Sequence, residues 1–248
     1  MEESCAGIQA YFNTVQALQT ELIAKQTSQL ALIAGLMAET IRQNRRIFIF
    51  GTGHSHMIAE EGHYRAGGLA NVVPILSPAV MVHESAQLSS KLERTPGLAA
   101  TLLERYSPLS DEILFVFSSS GVNALPIEMA ISARERGLCV IGVTNSAYCR
   151  MAPLSCVGKR LSEVVDHLID TGGPPGDSIV SVPGTPWMVG PASTILFSTI
   201  WNCLVTETVF RLQASQNELP IYQSSNMPGA VEQNQKLLRI WSKRNPHL

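Results

Sequence analysis

Charge is scarce in this chain. Charged residues make up 15% of its 248 positions, and 18 Lys and Arg against 20 Asp and Glu leave a net charge of −2. Such a balance gives no global attraction to nucleic acid or to an anionic membrane surface, and no basic recognition helix is present. Cysteines are few and scattered, at Cys5, Cys139, Cys149, Cys156 and Cys203, without a CxxC pair or a zinc-like cluster. The natural reading is reduced thiols in a cytoplasmic protein, none placed as a nucleophile. Cys139 and Cys203 fall on apolar runs and Cys149 and Cys156 in a loop. The acidic start MEESCAGIQ has no basic segment followed by an apolar one, so it does not read as a secretory signal. A long uninterrupted apolar run is also missing. The most apolar stretch, 195–212, contains Asn202, Glu207 and Arg211, which marks a buried helix and excludes a membrane span.

What the chain has is apolar mass. Hydrophobic residues reach 45%, enough for a large core. Residues 5–44 lack proline, and Ile8, Phe12, Val15, Leu18, Leu22, Ile23, Leu30, Ile33, Met37 and Ile41 recur at helical spacing. One long helix or two joined helices therefore come first. Short β-branched and aromatic runs follow at 46–50, 72–75, 113–117, 139–143 and 164–169, separated by helical patterns at 57–66, 98–106 and 125–136. Strands alternating with helices predict βαβ crossovers. The expected fold is α/β, a three-layer αβα sandwich around a parallel sheet of about five strands. A Gly- and Pro-rich stretch at 172–191 predicts a surface hairpin or loop. A helix over 193–212 closes the core, and the tail holds one more helix near 231–241. The whole, 1–248, is read as one domain: a helical segment (1–44), an α/β core (45–212) and a C-terminal extension (213–248).

The strands end in small polar residues. In an open parallel sheet, ligands bind beyond the carboxyl ends of the strands. Helix N-termini there offer free N–H groups and a positive dipole end, and hydroxyls add donors without bulk. Ser118, Ser119, Ser120 and Gly121, with Asn123 placed to cap the next helix, fit a phosphate site best. A plain N-cap run also favours serine. Gly51, Thr52, Gly53, His54 and Ser55 form a second such loop. It is no dinucleotide fingerprint, because His56 stands where a third glycine belongs, and no GKS or GKT makes it a Walker loop. Thr144 and Asn145 end a further strand, and Ser193 and Thr194 open the last core helix. His54 can donate to a sugar hydroxyl. His56, Glu60 and His63 stand at i, i+4 and i+7, spacing that a helix brings to one face, yet they form no HExxH arrangement. Asp177 reads as turn chemistry.

The ordered segments FIFGTGHSHMIAEE, LFVFSSSGVNALPIE, VIGVTNS and GPASTILFSTIWNCLVTE resemble the sugar isomerase (SIS) domain superfamily over about residues 45–212. The stretches GTGHSHMIAEEGHYRAGG and GGPPGD are similar to a subgroup related to phosphoheptose isomerase. The resemblance implies a phosphorylated sugar as ligand, bound by the serine loop and the late Ser193–Thr194 turn, and needs no cofactor or metal. It implies Glu61 as a base in its Ala-Glu-Glu context, with His83 and Glu84 as an acid/base couple after the second strand. Lys91 and Arg94 nearby are candidate phosphate contacts or surface residues. Aldose–ketose isomerisation is the leading reading, because a carboxylate or imidazole can move a proton between adjacent carbons. Ether cleavage using Glu61 and Glu84, and sugar-phosphate sensing without catalysis, stay open. Self-association as a homodimer or dimer of dimers is expected, since the N-terminal helix carries more apolar surface than one sheet face needs.

Overall fold

The computed structural model describes residues 5–213 and 218–248, so the first four residues of the acidic start lie outside the described part. The N-terminal segment is one helix, α1 (Ala6–Arg42). The sheet strands are β1 (Ile47–Gly51), β2 (Val72–Ile75), β3 (Ile113–Phe117), β4 (Cys139–Thr144) and β5 (His167–Asp170). They lie in the order β2-β1-β3-β4-β5, and every pairing is parallel. All five carboxyl ends therefore point to one edge.

The strands are nearly continuous apolar runs because helices cover both faces. Ile47, Ile49, Phe115, Phe117, Ile141 and Val143 face one layer, with α1, α2 (Met57–Gly62) and α7 (Ser193–Gln213). Phe48, Phe50, Leu114, Val116 and Val140 face the other, with α4 (Ala99–Glu104) and α5 (Ala124–Glu135). Successive residues of one strand thus serve opposite layers. Phe115 meets Trp201 edge-on at 5.5 Å, and Phe117 meets Phe197 at 5.2 Å, the geometry that aromatic quadrupoles favour. The helix α7 is long and apolar enough to cross a membrane by composition. Here its Leu196, Phe197, Ile200, Trp201 and Leu204 are buried in the core.

The differences from expectation have local causes. The helix α2 stops at Gly62, not 66, because His63 is extended and Tyr64 takes a positive φ of 46°. The fifth strand begins at His167, since a 3-10 turn occupies Leu161–Glu163 just before it. Two short helices escaped the periodicity: α3 (Ala86–Leu92), capped by Ser85 accepting from Leu88 N–H, and α6 (Ser146–Met151). Cys149 consequently lies buried in α6 and not in a loop. Cys139 and Cys203 are half-buried, and burial pushes the Cys139 thiol up to about 11. The stretch 172–191 contains a hairpin, β6 (Ser178–Ser181) with β7 (Met188–Pro191). The tail folds as α8 (Ala230–Trp241), whose Leu237 and Trp241 pack on Ala70 and Tyr222.

Candidate phosphosugar site at the strand ends

Two neighbouring strands, β1 and β3, deliver the two loops that matter most. After β3 the chain turns through residues 118–121 into α5. The Ser118 hydroxyl accepts the Gly121 N–H at 3.2 Å, closing the turn. Gly121 has a φ of +60°, and a Cβ there would stand 2.8 Å from Thr144 Oγ1 and 2.9 Å from Cys149 Sγ. Only glycine fits on both counts. The hydroxyls of Ser119 and Ser120 are half-buried and bond to no described residue. The backbone N–H groups of Ser119, Ser120 and Val122 likewise have no partner among the described residues. Asn123 occupies the N-cap position of α5 but makes no side-chain capping bond, contrary to the capping role expected of it. The turn therefore presents several free donors at a helix N-terminus, the arrangement that suits a phosphate.

After β1, residues 53–56 form a 3-10 turn. A Cβ on Gly51 would fall 2.5 Å from the Ser55 backbone, so glycine is required there too. Buried His56 braces the turn through Nδ1 to the Gly53 carbonyl, while His54 is exposed. The Thr52 hydroxyl donates to the Glu93 carboxylate at 2.9 Å. Glu93 follows α3, its side chain is 15% exposed, and it also accepts from Arg94 at 2.8 Å. Its carbonyl receives the Leu125 N–H at 3.0 Å, in the first turn of α5. Glu93 thus links the β1 loop to the first turn of α5, the helix that the serine loop leads into. Glu93 is not among the site residues that the sequence suggests, which in this stretch are the cations Lys91 and Arg94. A carboxylate beside a helix end in that stretch was the available signal.

The other expected residues fall into three groups. His83 and Glu84 are exposed, and the His83 ring lies 6.2 Å from that of His56, which brings it to the β1 loop. Glu61 is paired with Arg65, just beyond the end of its helix, and accepts from Asn202 of α7 at 3.3 Å. It faces the seam between α2 and α7. Thr144, Asn145 and Ser193 have their polar atoms engaged within the protein. Thr144 Oγ1 donates to Ser119 O at 3.0 Å, and Asn145 caps α6 and reaches the Gly173 carbonyl. Ser193 Oγ donates to Asp177 at 2.8 Å, and the same carboxylate accepts the Ala192 and Ser193 N–H groups. Asp177 is therefore the N-terminal cap of α7, more than a turn residue. Thr194 is half-buried at that end, Lys91 is exposed, and Arg94 is engaged by Glu93 and Ser90.

His63 lies beyond the end of α2 and packs 6.1 Å from His247, so it does not share a face with His56 and Glu60. No group of three or more metal-ligating side chains gathers among the described residues.

A parallel sheet covered by helices on both faces, with hydroxyl-rich loops at its carboxyl edge, defines a three-layer α/β class of fold. Residues 10–145 match the SIS domain family, and the chain belongs to it. Within that family it belongs with the UPF0309 proteins: one from Brucella canis is 42% identical over 238 residues, covering 96% of this chain and 97% of the relative. Solved structures share the fold at low identity. A phosphoheptose isomerase from Francisella tularensis gives a TM-score of 0.56 at 16% identity, over 83% of this chain and 98% of that one. One from Neisseria gonorrhoeae gives 0.54 at 17%, over 81% and 96%.

Proposed function

We propose that the protein binds a phosphorylated sugar at the carboxyl edge of the sheet and isomerises it between aldose and ketose forms. The observation that carries this is Glu93: a mostly buried carboxylate held on Thr52, tied through its own backbone to the helix that the open serine turn begins. The phosphate would take the hydroxyls of Ser119 and Ser120 and the free N–H groups of the turn. The sugar chain would then extend from β3 toward β1, its neighbour in the sheet. Glu93 would act as base on the carbon-bound proton, and His83 or His54 would donate to the carbonyl or hydroxyl oxygen. Glu61, engaged by Arg65 and Asn202, has a smaller part in this reading than the family resemblance implied.

That engagement of Glu61 also favours a second reading, in which the protein senses a sugar phosphate without turning it over. One experiment separates the two. A panel of sugar phosphates is incubated with the protein in deuterated water and followed by NMR. Product formation with exchange of the carbon-bound proton supports isomerisation. Saturable binding without exchange supports sensing, and absence of any phosphate-dependent binding removes both.

The proposal includes a cytoplasmic location, which suits a chain with no disulfide among its described residues. It also includes self-association. The helix α1 leaves Ile8 and Phe12 73% and 60% exposed, α7 leaves Phe210 67% exposed, and an apolar groove of about 620 Å³ runs between the two helices. Exposed apolar surface of this kind supports that reading.

A further inference from the structure

The opposite, N-terminal edge of the sheet holds a second concentration of charge. Arg46 precedes β1 and Glu112 precedes β3, and the pairing of these strands brings the two together. Glu112 is fully buried. Its carboxylate accepts from Arg46 Nε at 2.8 Å and Nη2 at 2.7 Å, from the Arg46 and Leu109 N–H groups at 3.0 and 2.8 Å, and from Arg244 Nη2 at 3.1 Å. A carboxylate offers about four lone-pair sites, so Glu112 has no capacity left.

A cavity of about 380 Å³ opens on this cluster, lined by Arg46, Arg105, Tyr106, Lys243 and Arg244 among others. Arg105 and Lys243 are exposed and form no ion pair with any described residue. Arg105 rests against the Tyr106 ring at 5.6 Å. Four cations thus line one cavity, and the buried carboxylate there is saturated by two of them, Arg46 and Arg244, in a chain whose net charge is −2. Crowding adds to the imbalance. Arg45 stands beside the cluster, with its Nε buried and without a hydrogen-bond partner among the described residues. Burial first, then the charges of Arg46 and Arg45, lowers the pKa of Arg244 against the opposing pull of Glu112. The nearby Glu104 is taken by Arg136 at 3.5 Å.

We propose that this cavity is a binding site for a small polyanion carrying two or more phosphoryl groups, held by Arg105, Lys243 and Arg244. Guanidinium forks match phosphoryl oxygens in pairs, and the volume lies in the range of small-molecule sites, about 300–1,000 Å³. A single phosphate monoester would leave part of the positive excess uncompensated; a diphosphate matches it. The walls come from the end of α4, the residue before β1 and the tail after α8. A bound anion would therefore pin the C-terminal tail to the sheet. The site is separate from the proposed sugar-phosphate site, since five-residue strands at roughly 3.3 Å per residue stand between them.

Titration calorimetry with inorganic pyrophosphate tests this on the intact chain. The parent protein should bind it saturably, one per chain. Arg105→Ala combined with Lys243→Ala, both surface changes, should weaken binding at least tenfold, while Arg105→Lys with Lys243→Arg should keep most of it. Ser120→Ala, at the other end of the sheet, should leave it unchanged. No saturable binding to the parent at millimolar pyrophosphate, an unaltered affinity in the double alanine variant, or a loss caused by Ser120→Ala instead, would each overturn the proposal.

Discussion

Thr52 and Glu93 are joined by a hydroxyl–carboxylate hydrogen bond of 2.9 Å across 41 residues of sequence. The bond fixes a carboxylate at the mouth of the β1 loop. Glu93→Gln keeps the shape and can still accept from Thr52, but it removes the proposed base. Proton exchange on a sugar-phosphate substrate in deuterated water should fall by at least about 100-fold, within the range that positioned acids and bases supply. Binding should change little. An exchange rate equal to that of the parent would take Glu93 out of the chemistry.

The serine turn should carry the phosphate. A hydrogen bond to a charged acceptor is worth about 1.5–3 kcal/mol, and each 1.4 kcal/mol is about tenfold in affinity. Ser120→Ala should thus weaken sugar-phosphate binding by roughly tenfold or more. Calorimetry should also find the unphosphorylated sugar binding poorly to both proteins; equal affinity for the free sugar would place the phosphate elsewhere.

Breaking the buried ion pair should be costly. Arg46→Ala leaves Glu112 buried with part of its compensation gone, and such a change costs about 3–5 kcal/mol. The urea midpoint should drop accordingly. Glu104→Gln, at a surface pair, should change stability by no more than about 0.5 kcal/mol and leave the midpoint nearly in place.

Light scattering should report a dimer or a dimer of dimers at micromolar concentration. Phe12→Glu with Phe210→Glu places charge on the exposed apolar faces of α1 and α7 and should shift the protein toward monomer with its helical circular dichroism intact. A parent protein that is already monomeric would remove these faces as an interface.

His63 and His247 lie 6.1 Å apart, and burial is the first cause lowering the pKa of each; Arg105 and His63 add to the effect at His247. A lowered folded-state pKa means that the unfolded chain takes up protons more readily. The associated stability is intact above the unfolded value of about 6.5 and is lost as pH falls through the folded values. Urea midpoints should therefore decline on acidification below about pH 6.5. Replacing both histidines with glutamine should flatten that part of the profile.

Much of the scaffold is legible in the chain. Valine, isoleucine and phenylalanine runs gave β2 and β3 their observed limits, because strands buried on both faces must be apolar throughout. The short helices α3 and α6 were not legible: at seven and six residues they are too brief to show a period, and their caps are single side chains. Glu93 was hidden for a related reason. Its meaning lies in Thr52 and Leu125, distant in sequence and close only after folding. The Ala-Glu-Glu context points to Glu61, yet Arg65 and Asn202 of α7 engage that carboxylate in the fold.

Asp177 has a consequence for substrate choice. Its carboxylate fills the N-terminus of α7, occupying two backbone N–H groups and the Ser193 hydroxyl. That helix end, unlike the end of α5, is already neutralised. Under the proposed function, the carboxyl edge of the sheet would seat a phosphoryl group at the serine turn and set a fixed negative charge where a second would arrive. On that reading a sugar with a single phosphate would fit such an edge, and a sugar phosphorylated at both ends would meet the protein's own cap.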